Sequence, residues 1–244
     1  MKPLYWLAHS LAKFSAKVFY NYEVIHPERL IEHGPCLIAS NHESFLDPPY
    51  VSIAFKRSIY FLARKTLFDN PLFGGAIRRL NAVPVDQDRP DMSSLKRIIK
   101  ILRSGERVLI FPEGERTLTG NFGPAERGVG LVIAKSQAPV LPVRIFGAYE
   151  AFPRGATVPK LGKITVVVGE PLDFSKETPT GDKKEFYQSL SDRTLEAIGK
   201  LEIPKTFSQN RISPPSSFSL WPTQDSPGQS EAQPWEGRER ESKP

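Results

Sequence analysis

Cys36-Leu37-Ile38-Ala39-Ser40-Asn41-His42-Glu43-Ser44-Phe45-Leu46-Asp47-Pro48-Pro49 decides the fold. Its first four residues are uniformly apolar, which marks a strand buried on both faces and not one half in water. Seven polar or mixed residues then form a turn. Asp-Pro-Pro closes it, and that triplet suits a helix start, because Asp is favoured as an N-cap and Pro at the first helical position. A buried strand passing through a short turn into a helix is the repeating unit of an α/β domain.

The same alternation extends in both directions. Short apolar runs at 58–62, 82–85, 108–111, 140–146 and 164–168 predict strands. Between and after them, 48–56, 90–104, 125–137 and 182–202 have helical periodicity. The expected fold is α/β, with a mixed, largely parallel sheet flanked by helices and an amphipathic helix at the N-terminus. A chain of 244 residues is long enough to bury a sizeable core.

Residues 4–20 carry that first helix. Leu4, Leu7, Leu11, Phe14 and Val18 follow a 3-4-3-4 spacing and fall within an arc of roughly 80°. Lys13 and Lys17 lie on the far side, and Tyr5, Trp6 and Tyr20 flank the stripe. Two readings are open. The stripe lies in a membrane interface, or it packs on the domain as any amphipathic helix does. No apolar run approaches the roughly 18 residues of a spanning helix. His9, Ser10 and Lys13 interrupt any signal-peptide core. From Pro204 onward the chain is rich in Pro and Ser and poor in aliphatics, so 204–244 is expected to be a disordered tail. The expected organisation is therefore an N-terminal helix at 1–20, a catalytic domain at 21–203 and the tail.

Charge and cysteine content exclude several classes. The net charge is +6, and the basic excess is concentrated in residues 1–20 and 56–107. Such a field attracts anionic partners. Nucleic acid is not expected, because no RNP motif, basic-region heptad or zinc-finger spacing is present. A single cysteine, Cys36, rules out an intramolecular disulfide, and the four histidines show no metal-ligand spacing.

Two strand ends carry candidate chemistry, since ligands in open α/β sheets gather at the carboxyl ends of strands. At the first, His42 is suited to take a proton near neutral pH. Asp47, by accepting from Nδ1–H, would fix its tautomer. On a straight helix the two would diverge by about 140°, so they meet only if the segment turns. The alternative is that Asp47 only caps a helix and His42 is a loop residue. At the second strand end, Glu113, Gly114 and Arg116 form a charged turn: Gly114 permits the bend, Glu113 can accept from a polyol, and Arg116 offers a planar fork for phosphate. No Ser or Cys stands in a nucleophile elbow, so the activated hydroxyl is expected to come from a substrate.

Four blocks in order resemble the glycerophospholipid acyltransferase family, in particular the 1-acylglycerol-3-phosphate O-acyltransferases. Asn41-His42…Asp47 matches its H-x4-D signature. Lys65-Thr66-Leu67-Phe68…Pro71…Gly74 with Val83-Pro84-Val85-Asp86…Arg89 is similar to its second block. Phe111-Pro112-Glu113-Gly114-Glu115-Arg116-Thr117 is similar to F-P-E-G-T-R-S, and Ala138–Val143 to its fourth, hydrophobic block. The resemblance spans roughly residues 20–170. Glu115 departs from it, adding a negative charge beside Arg116.

The resemblance implies a mechanism. His42, held by Asp47, removes the proton from the free hydroxyl of lysophosphatidic acid or another lysophospholipid. The alkoxide attacks the thioester of acyl-CoA or acyl-carrier protein and thiolate leaves, with no acyl-enzyme, metal or cofactor. Arg116, Glu113 and Gly114 would hold the glycerol phosphate, and Lys65 and Arg89 would neutralise it. The protein would sit peripherally on the cytoplasmic face of a membrane through residues 4–20, with an apolar tunnel for the acyl chain. The competing classes are a non-catalytic basic lipid- or nucleic-acid-binding module and a thioesterase or lipase using the same His–Asp pair.

Overall fold

In the computed structural model, strand β2 (Cys36–Ser40) has every residue buried, as its unbroken apolar run requires. Its alternate side chains feed two cores: Cys36 and Ile38 enter one, Leu37 and Ala39 the other. The structure describes residues 3–86, 92–179 and 181–205. Arg89, and the expectations for 206–244, lie outside the described residues.

Around β2 stand β1 (Glu23–Ile25), β3 (Tyr60–Arg64), β4 (Ala82–Val85), β5 (Arg107–Ile110), β6 (Val140–Phe146) and β7 (Thr165–Val168). They form a seven-stranded sheet in the order β1-β7-β6-β2-β5-β3-β4. Every pairing is parallel except β6 with β7. The expected mixed, largely parallel sheet is therefore present.

Helices cover both faces. α1 (Pro3–Phe19) and α2 (Asp47–Ser52) pack over the first core, and α4 (Met92–Arg103), α5 (Arg127–Ser136) and α7 (Lys183–Gly199) over the second. α5 approaches α7 closely at Gly130, where a Cβ would stand 1.7 Å from the Tyr187 carbonyl oxygen. α3 (Pro71–Arg79) and the short α6 (Ala148–Ala151) complete the fold.

Several elements differ from expectation: α6 is not among the expected helices, and α2 ends at Ser52 and not at 56. β1 is a three-residue edge strand, too short to show periodicity. α3 lies inside the stretch expected only as a basic block; Asn70 caps it by accepting from the N–H groups of Leu72 and Phe73. β3 begins two residues later than its apolar run, because the preceding backbone is used elsewhere. Ile59 N–H donates to the Tyr5 hydroxyl at 3.1 Å, and the Ser58 carbonyl accepts from Arg107 at 3.3 Å.

The apolar stripe of α1 faces outward. Leu7, Leu11, Phe14 and Val18 are 51–65% exposed. The opposite edge packs instead: Tyr5 and Ala16 are buried, and Ala12 lies against the core that Ala16 enters. Small side chains let that edge approach α2 closely. His9 Nε2 lies 3.0 Å from the Phe55 carbonyl and Ser15 Oγ 3.1 Å from the Tyr50 hydroxyl, further pinning the helix. No helix among the described residues is long and apolar enough to cross a membrane.

Candidate active site

The turn after β2 is organised by one carboxylate oxygen. Asp47 Oδ2 accepts from the backbone N–H groups of Glu43 at 2.6 Å and Ser44 at 2.7 Å, and lies 2.8 Å from His42 Nδ1. Asp47 is the first residue of α2, yet its carboxylate reaches backward into the turn. It does not cap the helix: no side-chain capping bond is made there. The two prolines explain this, since Pro48 and Pro49 have no N–H to offer. The carboxylate is spent on the turn, and the five-residue separation that would part the two side chains on a helix is folded back on itself.

Asn41 anchors the turn to the sheet. Its side-chain oxygen accepts from Ile145 N–H at 2.8 Å, and its amide donates to the Ile145 carbonyl at 2.9 Å and to Glu43 Oε1 at 2.8 Å. Burial, with the Asp47 and Glu150 charges nearby, pushes the Glu43 carboxyl up to about 7. The His42 ring stacks on Phe111 with centroids 3.8 Å apart and planes 11° from parallel. Sequence reasoning singled out neither Asn41 nor Glu43 as acting on the site, although both are adjacent to the pair.

Glu113, expected as a polyol ligand, is engaged with the backbone of the site. Its Oε1 accepts from His42 N–H at 2.9 Å and its Oε2 from Gly123 N–H at 2.8 Å. Both oxygens are turned to the chain, and the residue is buried. Burial raises its pKa. Glu113 ties the β5 turn to the backbone of His42. Thr117 N–H donates to the His42 carbonyl at 2.9 Å and makes the same connection. Gly114 supplies the bend at φ +74°.

Arg116 lies where the charged turn meets the His42 turn. Its guanidinium sits 3.5 Å from the centroid of the Phe45 ring, and its Nη1 is buried without a hydrogen-bond partner among the described residues. Burial first, then the charge of Arg154, lowers its pKa. Glu115 does not pair with Arg116: it accepts from Arg154 Nη1 at 2.9 Å. Lys65 is exposed in the turn after β3 and does not line the cleft described next, whereas its neighbour Arg64 does. Cys36 is inert, its thiol pushed up to about 12 by burial.

A cavity of about 620 Å³ opens beside His42 and Arg116. It runs between α1, α2, β3 and α3, over Ala12, Ile53, Phe61, Leu62, Phe73 and Ile77. The arrangement thus combines a carboxylate-oriented imidazole, a guanidinium with a free donor and an apolar channel. Together these can activate a hydroxyl beside a long apolar chain and an anion.

The chain belongs to the acyltransferase family: the family model described as Acyltransferase matches residues 21–146. Among its relatives, the 1-acyl-sn-glycerol-3-phosphate acyltransferase of Bacillus subtilis is 31% identical over 184 residues, which is 74% of this chain and 89% of that one. The chloroplastic 1-acyl-sn-glycerol-3-phosphate acyltransferase BAT2 of Brassica napus is also 31% identical, over 69% of this chain. The chain spans 51% of that plant relative's length. Of solved structures, the 1-acyl-sn-glycerophosphate (LPA) acyltransferase PlsC of Thermotoga maritima superposes with a TM-score of 0.66 at 24% identity. That match covers 82% of this chain and 81% of the other, and shows a shared fold.

Proposed function

We propose that the protein transfers an acyl group from a thioester, acyl-CoA or acyl-carrier protein, to the free hydroxyl of lysophosphatidic acid, giving phosphatidic acid for phospholipid synthesis. The observation that carries this reading is the 2.8 Å contact of His42 Nδ1 with Asp47 at the mouth of the apolar cavity. With Nδ1 committed to the carboxylate, Nε2 is the nitrogen that takes the acceptor's proton. The oxygen attacks the thioester carbonyl, the tetrahedral intermediate collapses, and the thiolate leaves and takes the proton back from the imidazolium. Asp47 stabilises the charge on the ring in between. Glu113 holds the His42 backbone, Arg116 grips the phosphate, and the cavity between α1 and α3 takes an acyl chain.

The exposed stripe of α1 gives the molecule its approach to the substrate. Leu7, Leu11, Phe14 and Val18, with Trp6, present aliphatic and aromatic surface that suits the interface of a bilayer. The reading is peripheral attachment to the cytoplasmic face, with the cavity mouth beside the lipid. The acceptor assignment is tested by comparing lysophosphatidic acid with monoacylglycerol, which lacks the phosphate. Wild-type protein should prefer the former strongly. Arg116→Ala should depress kcat/KM for lysophosphatidic acid at least about tenfold, since a charge-assisted bond of about 1.5–3 kcal/mol is lost. Equal rates on the two acceptors in the wild type would exclude the phosphate assignment.

A further inference from the structure

The segment after α6 is fastened to the His42 turn. Ser44 pairs with Pro153 in an isolated antiparallel bridge, and Ser44 Oγ donates to the Phe152 carbonyl at 2.7 Å. The Phe45 and Phe152 rings meet at 5.9 Å. Phe45 is the ring on which the Arg116 guanidinium rests. These contacts carry Arg154 to the rim of the cavity, where it lines the wall together with Arg116 and Glu115.

Two guanidiniums beside one carboxylate leave a net positive rim. Glu115 takes only one of the two cations: it pairs with Arg154 at 2.9 Å, in an ion pair whose side chains are 42% and 72% exposed. A solvent-exposed pair of this kind is weakly held and is open to exchange. A phosphate monoester carries between one and two negative charges near neutral pH and three acceptor oxygens. It therefore competes for Arg154 more strongly than a single carboxylate does, and Arg116, lining the same cavity, offers it a further donor.

We propose that Arg154 is a second contact for the acceptor's phosphate monoester, and that Glu115 occupies it in the free protein and is displaced when the acceptor binds. This deepens the reading that Arg116 meets a phosphate and rests on it. Glu115 becomes a specificity element: it shields the rim from an acceptor too weakly anionic to displace it.

The test measures kcat and KM of the full chain with lysophosphatidic acid and with monoacylglycerol at saturating acyl-CoA. Arg154→Ala should raise KM for lysophosphatidic acid about fivefold to tenfold, with kcat within about twofold and monoacylglycerol turnover unchanged. Arg154→Lys should recover part of that loss. Glu115→Gln, which keeps the side chain's size and lies on the surface, should lower KM for lysophosphatidic acid about twofold to fivefold. Inhibition by glycerol 3-phosphate should weaken in Arg154→Ala and strengthen in Glu115→Gln. If Arg154→Ala slows both acceptors equally or changes neither, Arg154 is a structural residue of the rim and the proposal fails. If Glu115→Gln raises KM, Glu115 holds Arg154 in place and the displacement is wrong. Arg116→Ala separates the two levels of the argument. Selective loss there with no selective loss at Arg154 sinks only this inference, while equal loss on both acceptors in Arg116→Ala sinks the phosphate reading itself.

Discussion

At the scale of single residues, the site depends on carboxylates given different work by their surroundings. Asp47 Oδ2 is held by two backbone N–H groups and faces His42, while Oδ1 is buried without a hydrogen-bond partner among the described residues. Asp47→Asn should lose activity with the fold kept: an amide oxygen in the place of Oδ2 still accepts from the two backbone N–H groups and from Nδ1–H, but it brings no charge to stabilise the imidazolium. A pH–rate profile and a melting curve of the variant check this; unchanged turnover would remove Asp47 from the chemistry. Glu43 accepts from Asn41, but burial and neighbouring negative charge outweigh its hydrogen bonds and raise it from 4.5 to about 7. A carboxyl whose folded pKa lies above its unfolded value binds its proton more tightly in the folded state. Its contribution to stability is complete below about pH 4.5 and is lost as pH rises through about 7. Glu43→Gln mimics the protonated form and can still accept from Asn41. It should therefore melt higher than wild type at pH 8.5 and close to it at pH 5. A lower melting temperature at pH 8.5 would contradict the assignment.

At this scale the sequence showed the His42–Asp47 pair and Arg116 but could not give their surroundings. Asp47 before two prolines fits a helix cap and a histidine partner equally well, and only the folded turn decides. Glu113 in a charged turn resembles a ligand, since nothing local reveals that Gly123 and His42 claim both its oxygens. Arg154 stands 112 residues from His42 outside any motif, and a tertiary bridge through Ser44 and Pro153 brings it to the rim.

At the scale of elements, α1 carries two faces with separate duties. Periodicity reported an apolar stripe, but it cannot say what covers it. The structure turns the stripe outward and packs Tyr5, Ala12 and Ala16 inward. Removing the helix would strip the core and the cavity wall, so point charges are the cleaner probe. Leu11→Glu with Phe14→Glu should leave the melting temperature within a few degrees of wild type and abolish co-sedimentation with anionic liposomes. Full sedimentation of that folded variant would contradict the membrane-facing role of the stripe. On the opposite layer, α5 and α7 touch through Gly130, and a methyl there would collide with the Tyr187 carbonyl. Gly130→Ala should destabilise the protein by about 1–3 kcal/mol or more, read from a denaturant midpoint. Wild-type stability would show that the helices move apart at no cost.

At the scale of the whole molecule, a doubly covered sheet sets the chemistry at the carboxyl ends of β2 and β5 and the apolar channel beneath α1 and α3. β2 and β7 were legible in the sequence because they are buried on both faces and almost wholly apolar, whereas β3 is only half-buried and β5 and β6 carry Arg107 and Arg144 among their apolar residues. The edge strand β1 and the capped helix α3 were not legible, because their short spans borrow stability from neighbours. The central claim is that His42 activates a lipid hydroxyl for direct attack on a thioester. It is tested by following free thiol from acyl-CoA with and without lysophosphatidic acid, for wild type and for His42→Ala of verified fold. The account predicts thiol release only when acceptor is present, matched one to one by phosphatidic acid, and a loss of about 10²–10⁴-fold in His42→Ala. Thiol release without acceptor, or a folded His42→Ala protein keeping half its turnover, would contradict it.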